Sequence, residues 1–154
     1  MNGCIIVPID GSDLSLRALD TAIDLSKNVS APIRLVHVVD VSKAAVISYG
    51  DPEYVGGCLN ALRDEGACFL QSACKRATER GAWVSEELLM GDPAEQIVRC
   101  AAQHDAEWIV MGSHGRSGLS HLLVGSVAEG VLRHSSVPVL IVPLKHDAAR
   151  TSAA

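Results

Sequence analysis

Apolar and polar positions fall in alternating blocks along this chain. Short continuous runs rich in β-branched residues are followed by longer stretches in which apolar residues return every three or four positions. The first run, residues 4–9, sets Cys4, Ile5, Ile6, Val7, Pro8 and Ile9 side by side with no polar break, the pattern of a strand buried on both faces. It stops at Asp10-Gly11-Ser12-Asp13, where Gly11 permits a tight turn and Ser12 or Asp13 can cap a helix carrying Ala18, Ala22 and Leu25 along one stripe. A second strand is expected at 33–39. Residues 40–57 lose the period and repeat turn formers, including Gly50-Asp51-Pro52 and Gly56-Gly57, so they read as loop with irregular helix at most. Leu59, Leu62, Phe69, Leu70, Ala73 and Ala77 then mark a long helix closed by Gly81, although Gly66 within it costs about 1 kcal/mol relative to alanine.

A third strand is expected at 83–90. After it, Asp92 as N-cap, Pro93 at the first helical position and Glu95 three residues past the cap make a helix-start pattern, with Ile97, Val98, Ala101 and Ala102 as the apolar face. A fourth strand at 108–111 runs directly into a glycine-rich segment, 112–126. Ser126 with Glu129 repeats the capping pattern for another helix, and 137–142 reads as a fifth strand. Trp83 and Trp108 fall in apolar strand patterns and are expected to pack. Strands alternating with helices in this way imply a parallel sheet covered by helices, an α/β fold.

Composition narrows the function classes. A chain of 154 residues is one domain, and 48% apolar with 20% charged residues is the balance of a folded chain. A formal charge of −5 without any long Lys/Arg run lacks the footprint of a nucleic-acid-binding surface. No segment approaches the roughly 20 apolar residues of a membrane span, and the start shows no basic region or cleavage site of a leader. A cytoplasmic location is therefore expected. Cysteines at 4, 58, 68, 74 and 100 form no CxxC pair and read as reduced, mostly buried small hydrophobes, with a redox role for Cys68 and Cys74 as the alternative. His37, His104, His121 and His134 show no metal-ligand spacing and read as surface or satisfied core groups.

The chemistry concentrates at 112–126. A strand feeding a glycine-rich loop that opens a helix binds phosphate, because the first helical N–H groups lack partners and carry partial positive charge. Glycine at 115 and 125 lets backbone amides approach phosphate oxygens, Ser126 adds its hydroxyl and amide, and Arg116 and His114 place positive charge nearby. The competing explanation is a loop that only turns the chain. The segment is neither a Walker A loop nor GxGxxG. Asp10 likewise has two readings, a ligand-site carboxylate or a turn and helix-cap residue.

Gly112-x2-Gly115-x9-Gly125-Ser126 resembles the nucleotide motif of the universal stress protein family. Gly115-Arg116-Ser117-Gly118-Leu119, residues 137–143 and Val7-Pro8-Ile9-Asp10-Gly11-Ser12 are similar to that family as well, so the likeness runs from about residue 4 to 143. It implies a nucleotide-binding domain over 1–143, while the polar and small residues of 144–154 read as a flexible C-terminal tail. It also implies an open five-stranded parallel sheet of order 3-2-1-4-5, adenine nucleotide alpha-hydrolase-like, with helices on both faces. ATP, with Mg²⁺, is expected at the carboxyl ends of the first and fourth strands, where strand order reverses. By the same resemblance Pro8, Ile9 and Asp10 lie by the adenosine and Val38 lines the adenine. Met111 and Gly112 lie beneath the nucleotide, and Gly115, Gly125, Ser126 and Val127 surround the phosphates.

The resemblance implies an ATP-binding regulatory or stress-response module whose occupancy biases a conformation, a dimer or an unidentified protein partner. The alternative is a slow Mg²⁺-dependent ATPase, for which only His114, Asp10 and a bound metal are candidates. An adenylating or alpha-hydrolase enzyme of similar topology is a weaker reading, because its signatures are missing. The strand at 137–142 lies at an exposed edge in the implied order, and the family's homodimer pairs two copies of it.

Overall fold

The structure is a computed structural model that describes residues 3–49, 51–116 and 124–144. Ten elements follow in order: β1 (Ile5–Pro8), α1 (Asp13–Val29), β2 (Ile33–Asp40), α2 (Val41–Ile47), α3 (Pro52–Glu79), β3 (Val84–Gly91), α4 (Pro93–Gln103), β4 (Trp108–Gly112), α5 (Ser126–His134) and β5 (Val139–Val142). The strands form one sheet of order β3-β2-β1-β4-β5, and every neighbouring pair is parallel. The expected α/β fold and strand order are both present.

Period-two alternation in the central strands divides the core. Ile5 and Val7 of β1 face one side with Leu35 and Val110, where Leu19 and Ile23 of α1 and Leu70 and Ala73 of α3 cover them. Ile6 faces the other side with Val36, Ile109 and Met111, under Ile97 and Ala101 of α4 and Ala128 and Val131 of α5. Ile5, Ile6, Leu19, Ile23, Leu35 and Ile109 are completely buried, each contributing ~1.5–3 kcal/mol by leaving water. The middle strand apolar on both faces therefore requires helices on both sides, and the chain supplies two per side. No helix among the described residues is long and apolar enough to cross a membrane.

Three local expectations are corrected. Residues 40–57 are mainly helical: α2 starts directly from β2, and α3 begins at Pro52. The residues read as turn formers are caps, since Asp40 accepts from the Ser42 N–H at 3.0 Å and Asp51 from the Glu53 N–H at 3.0 Å. Trp83 does not pack; it is 84% exposed, just ahead of the edge strand β3, and only its backbone joins the sheet, through the Ile33 N–H to its carbonyl at 2.7 Å. Gly66 is an asset within α3, because a Cβ there would overlap the His37 ring. The positions of Gly50, of 117–123 in the glycine-rich segment and of the tail at 145–154 lie outside the described residues.

Candidate phosphate-accepting cavity

The carboxyl ends of β1, β2 and β4 open into a cavity of about 510 Å³. It lies where the chain order reverses between β1 and β4, so the loops after these two strands diverge to opposite faces and leave a crevice. The cavity brings together all twelve residues singled out from the sequence: Pro8, Ile9, Asp10, Val38, Met111, Gly112, His114, Gly115, Arg116, Gly125, Ser126 and Val127.

The decisive local feature is the start of α5. Gly125, not Ser126, is its N-cap, and no side chain among the described residues caps it. Ser126 is already the first helical residue, which corrects the expected capping pair with Glu129. Each of the other four helices has a capping oxygen, from Ser12, Asp40, Asp51 or Asp92. Within α5 the Glu129 N–H reaches the Gly125 carbonyl at 2.9 Å, so the amides of Ser126, Val127 and Ala128 precede the first intrahelical bond. All three residues line the cavity. An uncapped helix start thus presents donors and partial positive charge to the space that an acceptor would fill.

The glycines serve this loop differently from the sequence expectation. The Gly125 N–H is engaged by the Ser113 carbonyl at 2.7 Å, which folds the segment back and aims the next three amides. A Cβ at 125 would come within 3.3 Å of that carbonyl, and one at Gly115 within 2.8 Å of Asp10 Oδ2. Asp10 is a strap between loops: Oδ1 accepts from the Ser12 N–H at 3.0 Å and hydroxyl at 2.6 Å, while Oδ2 accepts from the Arg116 N–H at 3.1 Å. Its turn-forming role is therefore realised in the same place as its cavity-lining one.

The two positive candidates read from the sequence, Arg116 and His114, already have protein partners. The Arg116 guanidinium forms a two-pronged pair with Glu65 of α3 at 3.0 and 3.1 Å and lies over the Phe69 ring at 5.3 Å. The Glu65 carboxylate raises the Arg116 pKa further, so its charge is permanent. His114 is buried, its Nδ1 at 2.9 Å from the Ser113 hydroxyl. His37, expected to be a satisfied core group, has Nδ1 at 2.7 Å from the Ile9 carbonyl; because a carbonyl only accepts, Nδ1 carries the proton.

Sequence reasoning missed Asp40, Lys43 and Glu65, which also line the cavity. Lys43 lies in the segment read as loop, and recognising Asp40 as a cap would have placed it one turn into a helix beside the site. Glu65 carries no sequence signal, since its role depends on α3 crossing the cavity mouth.

The universal stress protein family model matches residues 1–143. Universal stress protein MJ0531 of Methanocaldococcus jannaschii is 40% identical over 139 residues, covering 90% of this chain and 80% of that protein. The solved structure of MJ0577 from the same organism superposes with a TM-score of 0.83 at 29% identity, covering 95% of this chain and 99% of that one. A universal stress protein in complex with cAMP matches with a TM-score of 0.65 at 28% identity over 92% of this chain and 97% of that one. The Archaeoglobus fulgidus protein in complex with dAMP matches at 0.66 and 25% over 90% and 96%.

Proposed function

This chain belongs to the universal stress protein family, and from that premise we propose that it is an ATP-binding regulatory module whose occupied cavity biases a conformation, a dimer or a protein partner. The observation that carries the reading is the uncapped start of α5, facing a cavity of about 510 Å³. The phosphates accept from the Ser126, Val127 and Ala128 amides, and Ser126 adds its hydroxyl. The adenosine lies across the ends of β1 and β2 against Pro8, Ile9, Asp10 and Val38, with Met111 and Gly112 beneath. Relatives of the same fold bound to cAMP and dAMP support an adenine nucleotide as the class of ligand. Mg²⁺ would accompany the outer phosphates, with Asp10, which lines the cavity, as the candidate protein carboxylate.

A binding module is favoured over a slow ATPase by the commitments of the two candidate bases. Both Asp10 oxygens hold the loops together, and His114 is buried against Ser113. Neither is arranged to draw a proton from an attacking water. In single-turnover experiments with Mg-ATP, the nucleotide is expected to be recovered unchanged; ADP formed within minutes, and abolished by His114→Ala, would establish the enzyme reading instead.

Calorimetric titration with ATP tests the site itself. Gly125→Val is expected to weaken ATP binding at least about tenfold, because the added side chain presses on the Ser113 carbonyl and turns the amides away. Circular dichroism should remain native, since the backbone at 125 has φ −75° and ψ 162°, open to any residue. Full affinity in that folded variant removes this placement.

A further inference from the structure

At the other end of α4, on the same face of the sheet, a second cluster of chemically competent groups lies apart from the nucleotide cavity. Cys100 and His104 sit one helical turn apart, the thiol on the last turn of α4 and the imidazole at its C-cap, so both project to one side. Glu87 of β3 meets them there. One ligand atom from each of the three lies within 4.8 Å of the other two. None of these residues lines the cavity described above.

We propose that Glu87, Cys100 and His104 form a binding site for a borderline-soft divalent transition metal such as Zn²⁺. Tetrahedral coordination with ordinary bond lengths separates an oxygen and a nitrogen ligand by about 3.4 Å, and an oxygen and a sulfur ligand by about 3.6 Å. Here Glu87 Oε2 is 3.2 Å from His104 Nε2 and 3.8 Å from Cys100 Sγ. The carboxylate oxygen is thus within a few tenths of an ångström of chelating distance from both partners, while the thiol and the imidazole lie within 4.8 Å of each other and close further around an ion. A set of one sulfur, one nitrogen and one carboxylate oxygen suits Zn²⁺ and its spectroscopic substitute Co²⁺, and is wrong for Mg²⁺ or Ca²⁺.

Charge supports the same assignment. Cys100 is buried, with its thiol proton directed at Glu87 Oε2 across 3.8 Å. Binding replaces that proton: the sulfur lone pair forms the metal bond, one H⁺ passes to solvent, and the thiolate and carboxylate together neutralise the dication. Arg34 stands behind the site, with Nη1 at 3.3 Å from Glu87 Oε2, and orients that carboxylate as an outer-layer group. Its Nε–H is buried with no acceptor among the described residues. The imidazole and carboxylate are each about a third exposed, at 32% and 31%, which leaves an entry path.

Neither the spacing Cys-x3-His nor Glu87 announced this site in the sequence, since the third ligand arrives from a strand thirteen residues earlier. The plain alternative is that Glu87 only serves as a hub for Arg34 and His104. Titration of the reduced, chelator-treated full chain with Co²⁺, in excess Mg²⁺, separates the two. One equivalent is expected to bind with a thiolate-to-cobalt charge-transfer band, and one equivalent of Zn²⁺ should displace it. Cys100→Ala is expected to abolish the band, and His104→Ala to weaken Co²⁺ binding at least tenfold while circular dichroism stays native. If Cys100→Ala does not fold, the partly exposed His104 position decides. No band at millimolar Co²⁺, or a band unchanged in folded His104→Ala, overturns the proposal.

Discussion

Gly66 sits in mid-helix, where helix propensity alone favours replacing it. Alanine there gains about 1 kcal/mol in the helix. Its Cβ, however, would overlap a ring that cannot step aside, because His37 is pinned by the Ile9 carbonyl at 2.7 Å and stands edge-on to Phe69 at 5.7 Å. Overpacking of this kind costs about 1–3 kcal/mol. Gly66→Ala is therefore expected to lower the urea midpoint, and a higher midpoint would mean that the ring moves freely. A neighbouring pair sets how ready the cavity is for an anion. While Glu65 holds Arg116, the guanidinium must leave a partner before it can reach a phosphate. An exposed pair of this kind is worth about 0.2–1 kcal/mol. Glu65→Gln should thus tighten ATP binding by up to about fivefold, measured by calorimetry at low salt; weaker binding would show that Glu65 itself supports the ligand.

Among the elements, the contrast in capping is the most informative. Four helices are closed by a side-chain oxygen, including α2 and α4, whose caps Asp40 and Asp92 also line the cavity, whereas among the described residues none closes α5. A ligand that accepts from those amides also stabilises the fold by mass action, and ATP at 100 times its dissociation constant should contribute about 2.7 kcal/mol of stability, read as a raised Tm. The docking of α1 on α3 has its own electrostatic clamp. Asp20 accepts from Arg76 at 2.8 and 2.6 Å and from Arg80 at 2.8 Å, and Asp24 accepts from Arg80 at 2.7 Å. The Arg76 hydrogen bond, followed by the charges of both arginines, holds the Asp20 carboxyl below its usual 3.8 against an opposing burial effect. A depressed folded-state value means that the clamp's contribution is complete above pH 3.8 and is lost as pH falls through the lower folded value. Asp20→Asn should therefore destabilise the protein at pH 7 by roughly 1 kcal/mol, with the difference from the parent shrinking as pH falls below 3.8. An undiminished difference in acid would assign the effect to packing.

For the whole molecule, β5 is an edge of the sheet, with Val139, Leu140 and Ile141 half-buried and no strand on its outer side among the described residues. Pairing with a twofold copy would satisfy that edge, and sedimentation equilibrium at micromolar concentration is expected to give a dimer; a monomer would count against the pairing. Much of this architecture was legible in advance because its causes are local. The continuous apolar runs mark strands buried on both faces, Asp92-Pro93 marks the start of α4, and Gly112-x2-Gly115-x9-Gly125-Ser126 marks a loop between a strand and a helix. Residues 40–57 were misread for an equally local reason, since aspartate, serine and proline signal helix starts as well as turns. Trp83 failed because its burial depends on whether anything covers the outer end of β3. Chain pattern by itself determined most of the strands and helices, and that a glycine-rich segment joins β4 to α5, for these follow from side-chain period and backbone freedom. Only the tertiary structure decided that Asp10 straps two loops, that Glu65 restrains Arg116, and that Glu87 meets Cys100 and His104. Those contacts join residues distant along the chain, and no pattern within a segment encodes which neighbours the sheet order will supply.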